Sequence, residues 1–124
     1  MKQQLLGSWE LISHGLRNAD GQFKSTSSFL LGRLLYEDSG TMSVLIALKN
    51  PAETLSDIIA YSGRFSIKGK KIFHHIDVAS RSDRIGTTEE RLVSFQNDIL
   101  VLQASASSKG IYEITWRKIK NTKP

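Results

Sequence analysis

The sequence predicts an all-β protein, a single antiparallel up-and-down barrel of eight strands or slightly more, and three observations carry that expectation. Apolar and polar residues alternate with period two along almost the whole chain, the pattern of strands with one face buried. Short signals rich in Gly, Asn, Asp or Ser ("EDSGT", "IKGKK", "FQNDI", "SSKGI") separate the alternating segments, and these residues suit the left-handed or tightly bent backbone of hairpins. Closing such strands on themselves removes both exposed edges, which favours a barrel over an open sheet.

The expected strands run over residues 7–14, 28–37, 41–48, 60–68, 71–80, 86–96, 99–106 and 110–119. Between the first two, "GLRNADGQFKSTSS" reads as a loop. In "NPAETLSDIIA" a proline precedes an amphipathic stretch, which predicts one short helix over residues 52–59. All 124 residues are expected to form one domain, 1–124, because folded domains commonly run about 100–150 residues.

Composition narrows the function classes. With 40% hydrophobic and 23% charged residues, the chain is globular. No apolar run approaches the roughly 20 residues needed to cross a bilayer, and "MKQQLLGSWE" lacks a long apolar signal region, so no membrane span and a cytoplasmic location are expected. The absence of cysteine excludes disulfides, thiolate metal sites and cysteine nucleophiles. A formal charge of +5 would suit nucleic acid. The basic residues, however, gather at "KGKK" and in the tail "WRKIKNTKP" and are otherwise scattered, and the aromatics fall on the inward parity instead of forming an outward stacking platform. No nucleic-acid partner is expected. Gly-x-Ser-x-Gly, His-Glu-x-x-His, phosphate-loop and dinucleotide motifs are all missing, so hydrolase, zinc-enzyme and nucleotide readings lack support and no cofactor is expected.

Strand parity then assigns the interior, because alternate residues face opposite sides. Taking the more apolar set as inward places Gly32, Leu34, Tyr36, Met42, Val44, Ile46, Leu48, Tyr61, Gly63, Phe65 and Ile67 inside. Leu100, Leu102, Ala104, Tyr112, Ile114 and Trp116 join them. In "KIFHHIDVAS" the inward set is Ile72, His74, Ile76 and Val78, leaving His75 outside with Phe73. The adjacent histidines therefore cannot share a metal or a proton, and no metal is expected. In "TEERLVSFQ", Val93 and Phe95 bring Arg91 and Glu89 inside with them. His14 and His75 are expected at the surface.

The expected ligand-binding residues are Tyr36, Met42, Val44, Tyr61, Phe65, His74, Glu89, Arg91, Leu102, Tyr112 and Trp116. Small cores seldom gather so many polar groups unless water or a ligand meets them. For His74 alone, a core histidine satisfied by the protein and a catalytic one are both open.

The chain resembles the lipocalin-like domain family, small relatives of the calycin barrels, in the order and spacing of "LLGSWEL", "GRLLYEDSGTMSVLI", "YSGRFSIKGKKIFHHIDVAS", "GTTEERLVSF" and "ITWRK". The resemblance implies a closed or nearly closed antiparallel barrel, and it maps a recurrent family His and Arg onto His74 and Arg91. Gly7 and Trp9 resemble the Gly-x-Trp opening of lipocalins. Arg117 takes the place of the late Arg that stacks over that Trp and plugs one barrel end. The family often carries a proline in the loop that reads "SRSDRIG" here.

Two function classes follow. The preferred one is a non-catalytic barrel binding a small, largely apolar molecule with an anionic or carbonyl group directed at Arg91 and His74. The alternative is a cofactor-independent isomerase, cyclase or hydratase acting on a small metabolite, with His74 shuttling a proton and Arg91 stabilising negative charge as catalytic residues. A protein-interaction module would need an exposed apolar patch, and Phe73 alone outside is not one. The partner is thus a small molecule as ligand or substrate, and the oligomeric state stays open, a homodimer included.

Overall fold

A computed structural model describes residues 1–26 and 28–120. Ser27, in the stretch expected to be a loop, and residues 121–124, at the end of the basic tail and of the expected 1–124 domain, lie outside the described residues. A short helix α1 (Lys2–Leu5) leads into β1 (Gly7–Arg17), β2 (Phe23–Ser25), β3 (Phe29–Tyr36), β4 (Thr41–Lys49), β5 (Leu55–Lys68), β6 (Lys71–Ala79), β7 (Thr88–Gln96), β8 (Ile99–Gln103) and β9 (Ile111–Lys118). A 3₁₀ turn, Ser82–Arg84, joins β6 to β7. Pairing is antiparallel throughout, in the order β2-β1-β3-β4-β5-β6-β7-β8-β9, and a β1–β9 ladder closes the barrel. Eight strands make the barrel; β2 is an extra ribbon on the far end of β1, registered Gly15 to Ser25 through Arg17 to Phe23. No helix among the described residues is long and apolar enough to cross a membrane.

Two sequence expectations are corrected here. Residues 55–59 are strand, not the helix expected over 52–59. Asn50 Oδ1 accepts from the Ala52 and Thr54 amides and the Thr54 hydroxyl, so Asn50 and Pro51 make a tight reversal that returns the chain along β4, pairing Ala47 with Ile58 and Leu48 with Asp57. An eight-residue helix alone is marginal in water, whereas extending the ladder pairs the backbone with a strand already in place. The expected loop after β1 likewise continues as strand to Arg17 and returns as β2, its turn held by Asn18 Oδ1 accepting from the Asp20 and Gln22 amides.

Parity gives the interior correctly except where a bulge resets it. The β1–β9 register shifts between Leu11 and Ser13. The extra residue, Ile12, turns His14 inward opposite Ile114, where it is buried and not at the surface as expected. A second shift pairs Ser62 with Val78 but Gly63 with Ile76. The extra residue there is Asp77, and Val78, expected inside, is 57% exposed. Gly63 allows this bulge, since a Cβ at that position would collide with the His75 carbonyl. The outer face also carries exposed Leu31, Leu45 and Ile58, so it is more apolar than Phe73 alone would make it.

One barrel end is closed by α1 and Trp9. The Trp9 indole donates to the Leu5 carbonyl at 2.9 Å and packs with Phe95, Leu5 and Trp116 in the core. The expected plug by Arg117 is corrected: Lys118 Nζ lies 4.7 Å from the Trp9 ring centroid and donates to the Leu6 carbonyl. Arg117 points outward to Glu10 at 3.8 Å, both half-exposed. Strand alternation is the reason, because β1 and β9 pair Trp9 with Lys118 and Glu10 with Arg117. Gly7, at φ +119°, makes room, since a Cβ there would lie 2.7 Å from Lys118 Nζ. Trp9→Ala is expected to cost about 3–5 kcal/mol by emptying a buried aromatic site. Arg117→Ala is expected to cost under about 1 kcal/mol, as for an exposed ion pair. Urea unfolding of the two variants tests this, and the reverse ranking would restore Arg117 as the plug.

Candidate functional site

A cavity of about 240 Å³ lies inside the barrel, walled by Leu34, Val44, Ile46, Ile59, Leu102 and Ile114. Its polar or aromatic members are Tyr61, His74, Arg84, Arg91, Tyr112 and Trp116. Register sets the depth. Trp116 pairs with Leu11 and Leu100, toward the closed end, while Tyr112 pairs with Leu16 at the other. The open end is therefore the one bearing the 3₁₀ turn and Arg84.

Of the residues expected to bind ligand, Val44, Tyr61, His74, Arg91, Leu102, Tyr112 and Trp116 line this cavity. Tyr36, Met42 and Phe65 do not. They face inward but lie in the packed layer behind it, Phe65 against the edge of Tyr36 with centroids 4.9 Å apart. Glu89 stands between the two arginines instead of on the wall. Arg84 was not among the expected residues. It sits in "SRSDRIG", off any strand, where alternation assigns no face; the available signal was a long cation in the loop joining the inward ends of β6 and β7.

His74 is buried and engaged at both ring nitrogens, Nε2 with the Tyr36 hydroxyl at 2.6 Å and Nδ1 with the Tyr61 hydroxyl at 2.9 Å. Burial, aided by Arg91, pushes its pKa down to about 3, so the ring is neutral. Burial also pushes Tyr61 up to about 12 and Tyr36 well above the ordinary tyrosine value. A neutral imidazole has one donor and one acceptor, and Tyr36 decides which is which. Its hydroxyl is bonded to no other described residue, so it donates to Nε2; accepting there would leave its own proton buried without a partner. Nδ1–H then donates to Tyr61, and the Tyr61 proton is free to donate into the cavity. His75 lies outside, between the Ser66 and Thr88 hydroxyls at 2.9 and 3.1 Å.

At the mouth Glu89 holds two arginines. Oε1 accepts from Arg84 Nη2 at 2.7 Å and Oε2 from Arg91 Nη2 at 2.8 Å. Arg91 Nη1 also donates to the Glu90 carbonyl at 2.8 Å, a group beyond the last β7–β8 pair, Leu92 with Gln103. The Arg84 guanidinium stacks 4.6 Å over the Tyr61 ring. Burial alone would raise the Glu89 carboxyl, but the hydrogen bonds and charges of Arg84 and Arg91 hold it below the ordinary value. Farther along the mouth, the Tyr112 hydroxyl meets His14 Nδ1 at 3.1 Å. Toward the closed end the Trp116 indole nitrogen is buried with no acceptor among the described residues.

Residues 46–119 match the family model described as a lipocalin-like domain. The 4'-hydroxy-3'-methoxypropiophenone carrier protein of Aspergillus oryzae is 32% identical over 81 residues, covering 55% of this chain and 73% of that protein. A lipocalin-like protein from Bacteroides uniformis superposes with a TM-score of 0.58 at 21% identity, over 94% of this chain and 99% of its own. A protein from Bacteroides eggerthii does so at 0.53 and 12% identity, over 91% and 98%. These two structures share the fold.

The His74 arrangement makes stability depend on pH. Its folded pKa of about 3 lies below the roughly 6.5 of an unfolded histidine, so between these values the unfolded chain binds more protons. Stability therefore falls as pH drops from about 6.5 toward 3. His74→Gln, which removes the titration, is expected to flatten the urea-measured pH profile by about 2 kcal/mol between pH 6.5 and 4.5. Parallel profiles for the two proteins would mean that His74 protonates in the folded state.

Proposed function

The chain belongs to the lipocalin-like domain family, and on that footing we propose that it binds one small, largely apolar molecule in the barrel, with an anionic or carbonyl oxygen held by donors from the wall. The observation that carries this reading is the polarity of the lining. Among apolar walls, the guanidinium groups of Arg84 and Arg91 only donate, and the Tyr36–His74 chain turns the Tyr61 hydroxyl into a donor as well. A ligand meeting these groups supplies acceptors, which is what a carbonyl or carboxylate offers.

Size agrees. A cavity of about 150 Å³ accepts a benzene ring, so about 240 Å³ suits one substituted ring. The Aspergillus relative is named as the carrier of an aryl ketone, a molecule of this class. The catalytic alternative has less support. With both nitrogens engaged and its conjugate acid disfavoured, His74 serves better as a rigid hydrogen-bond relay than as a proton shuttle.

Native mass spectrometry of protein purified from its own host is expected to show a retained small molecule; release of bare protein under gentle conditions would count against a carrier. With 4'-hydroxy-3'-methoxypropiophenone as the probe, His74→Ala and Arg91→Ala are each expected to weaken binding at least about tenfold, roughly 1.4 kcal/mol, and His75→Ala to leave it unchanged. Greater damage from His75→Ala in calorimetric titration would move the site to the outer face.

A further inference from the structure

The two mouth arginines are not equivalent. Arg91 has one nitrogen on Glu89 and another on the Glu90 carbonyl, and its side chain is only 16% exposed. Arg84 uses one Nη2 hydrogen, on Glu89, and its Nε and Nη1 have no acceptor among the described residues, so the second Nη2 hydrogen and one of these nitrogens leave a two-point edge open. A guanidinium presents its donors as a flat fork that matches a carboxylate at two points. The Arg84 plane is also fixed before any ligand arrives, by the Tyr61 ring beneath it at 4.6 Å and by Glu89 at 2.7 Å. A preset donor loses less freedom on binding than a mobile one.

The charges point the same way. Two guanidinium groups and one carboxylate leave the mouth with one uncompensated positive charge. Of the acids next to Arg84 and Arg91 in the chain, Glu90 faces Lys71 at 3.4 Å and Asp83 faces Arg81 at 3.6 Å. A partly buried unbalanced charge is costly, and a single negative charge from a ligand cancels it. A second negative charge would meet Glu89 with no cation left to balance it.

We propose that the site takes an apolar monocarboxylate of about ring size, whose carboxylate is received at the mouth by the free edge of Arg84, with Glu89 setting the number of charges admitted. This rests on the binding reading above and narrows it from an acceptor-bearing ligand to a monoanion. It also makes Arg84 the anchor and Arg91 the group that positions Glu89.

The test uses two probes of nearly equal shape, 4-ethylbenzoate and 4'-ethylacetophenone, titrated calorimetrically into the protein at low ionic strength. The protein is expected to bind the carboxylate at least tenfold more tightly than the ketone, with the preference shrinking as salt is added. Arg84→Gln is expected to bring the two affinities within about threefold, the carboxylate losing far more than the ketone. Arg84→Lys, which keeps the charge but not the fork, is expected to retain part of the preference, and Glu89→Gln to enlarge it. Urea unfolding confirms that each variant is folded before it is titrated. Equal binding of both probes by the unaltered protein, or an intact preference in folded Arg84→Gln, overturns the proposal and leaves the carrier reading standing. If neither probe binds up to millimolar concentration, the carrier reading falls and the proposal with it.

Discussion

The neutral imidazole of His74, bonded through both nitrogens to tyrosine hydroxyls, is the constraint on which the cavity's polarity depends. An ionised histidine at that depth would add a third cation to a region that already holds Arg84 and Arg91, and burial forbids it. Kept neutral, the ring must accept at one nitrogen and donate at the other, and the fully buried Tyr36 leaves only one way round. The proton order then runs outward through Tyr61, so a hydroxyl able to do either job is committed to donating. Phe65 and Met42, packed in the layer behind the cavity, hold Tyr36 in place and act on the site through it.

Of the four register shifts among the described residues, those on β1 and β6 change which groups face this interior. Strict alternation over β1 would have put Ser13 inside and His14 in solvent; the extra residue Ile12 exchanges them, and the inward His14 then meets Tyr112 and Phe29 near the mouth. On β6 the extra residue Asp77 ends the inward run at Ile76 and sends Val78 out. In both cases the change falls toward the open end, where the ladder no longer has to match the packing around Trp9. The closed half keeps the regular pleat and the open half departs from it.

Much of the barrel was legible because period-two alternation reports directly on which face is buried. "SVLIAL", "GRFSI" and "ITW" gave Val44, Ile46, Phe65, Ile114 and Trp116 their correct side. Alternation reports side and not depth, so Tyr36, Met42 and Phe65 were grouped with the cavity wall although they lie a layer behind it. It is also blind to bulges, which hid His14 and Val78, and to loops, which hid Arg84. The segment after Pro51 was misread for a related reason: a proline opens either a helix or a tight turn, and pairing with β4, just before it in the chain, decides between them. The Arg117 error differs in kind. Continuing the alternation of "TWRK" past the inward Trp116 puts Arg117 out and Lys118 in, as the register shows, and the expectation taken from family resemblance ran against that pattern.

Both barrel ends set a cation over an aromatic ring, and the difference between them separates a plug from a site. At the closed end Lys118 lies over Trp9, and its ammonium is also taken by the Leu6 carbonyl; burial lowers its pKa, and Gly7 gives up a side chain to admit it. Ring, carbonyl and cation satisfy one another there, and the Trp9 indole has its own acceptor in Leu5. At the open end Arg84 lies over Tyr61, yet one carboxylate is divided between it and Arg91. A lysine ammonium is a compact charge that a carbonyl and a ring can enclose, whereas a guanidinium is a flat fork that one carboxylate oxygen cannot fill. Lys118 suits a closed end for that reason, and Arg84, on the cavity lining, keeps donors with no acceptor among the described residues.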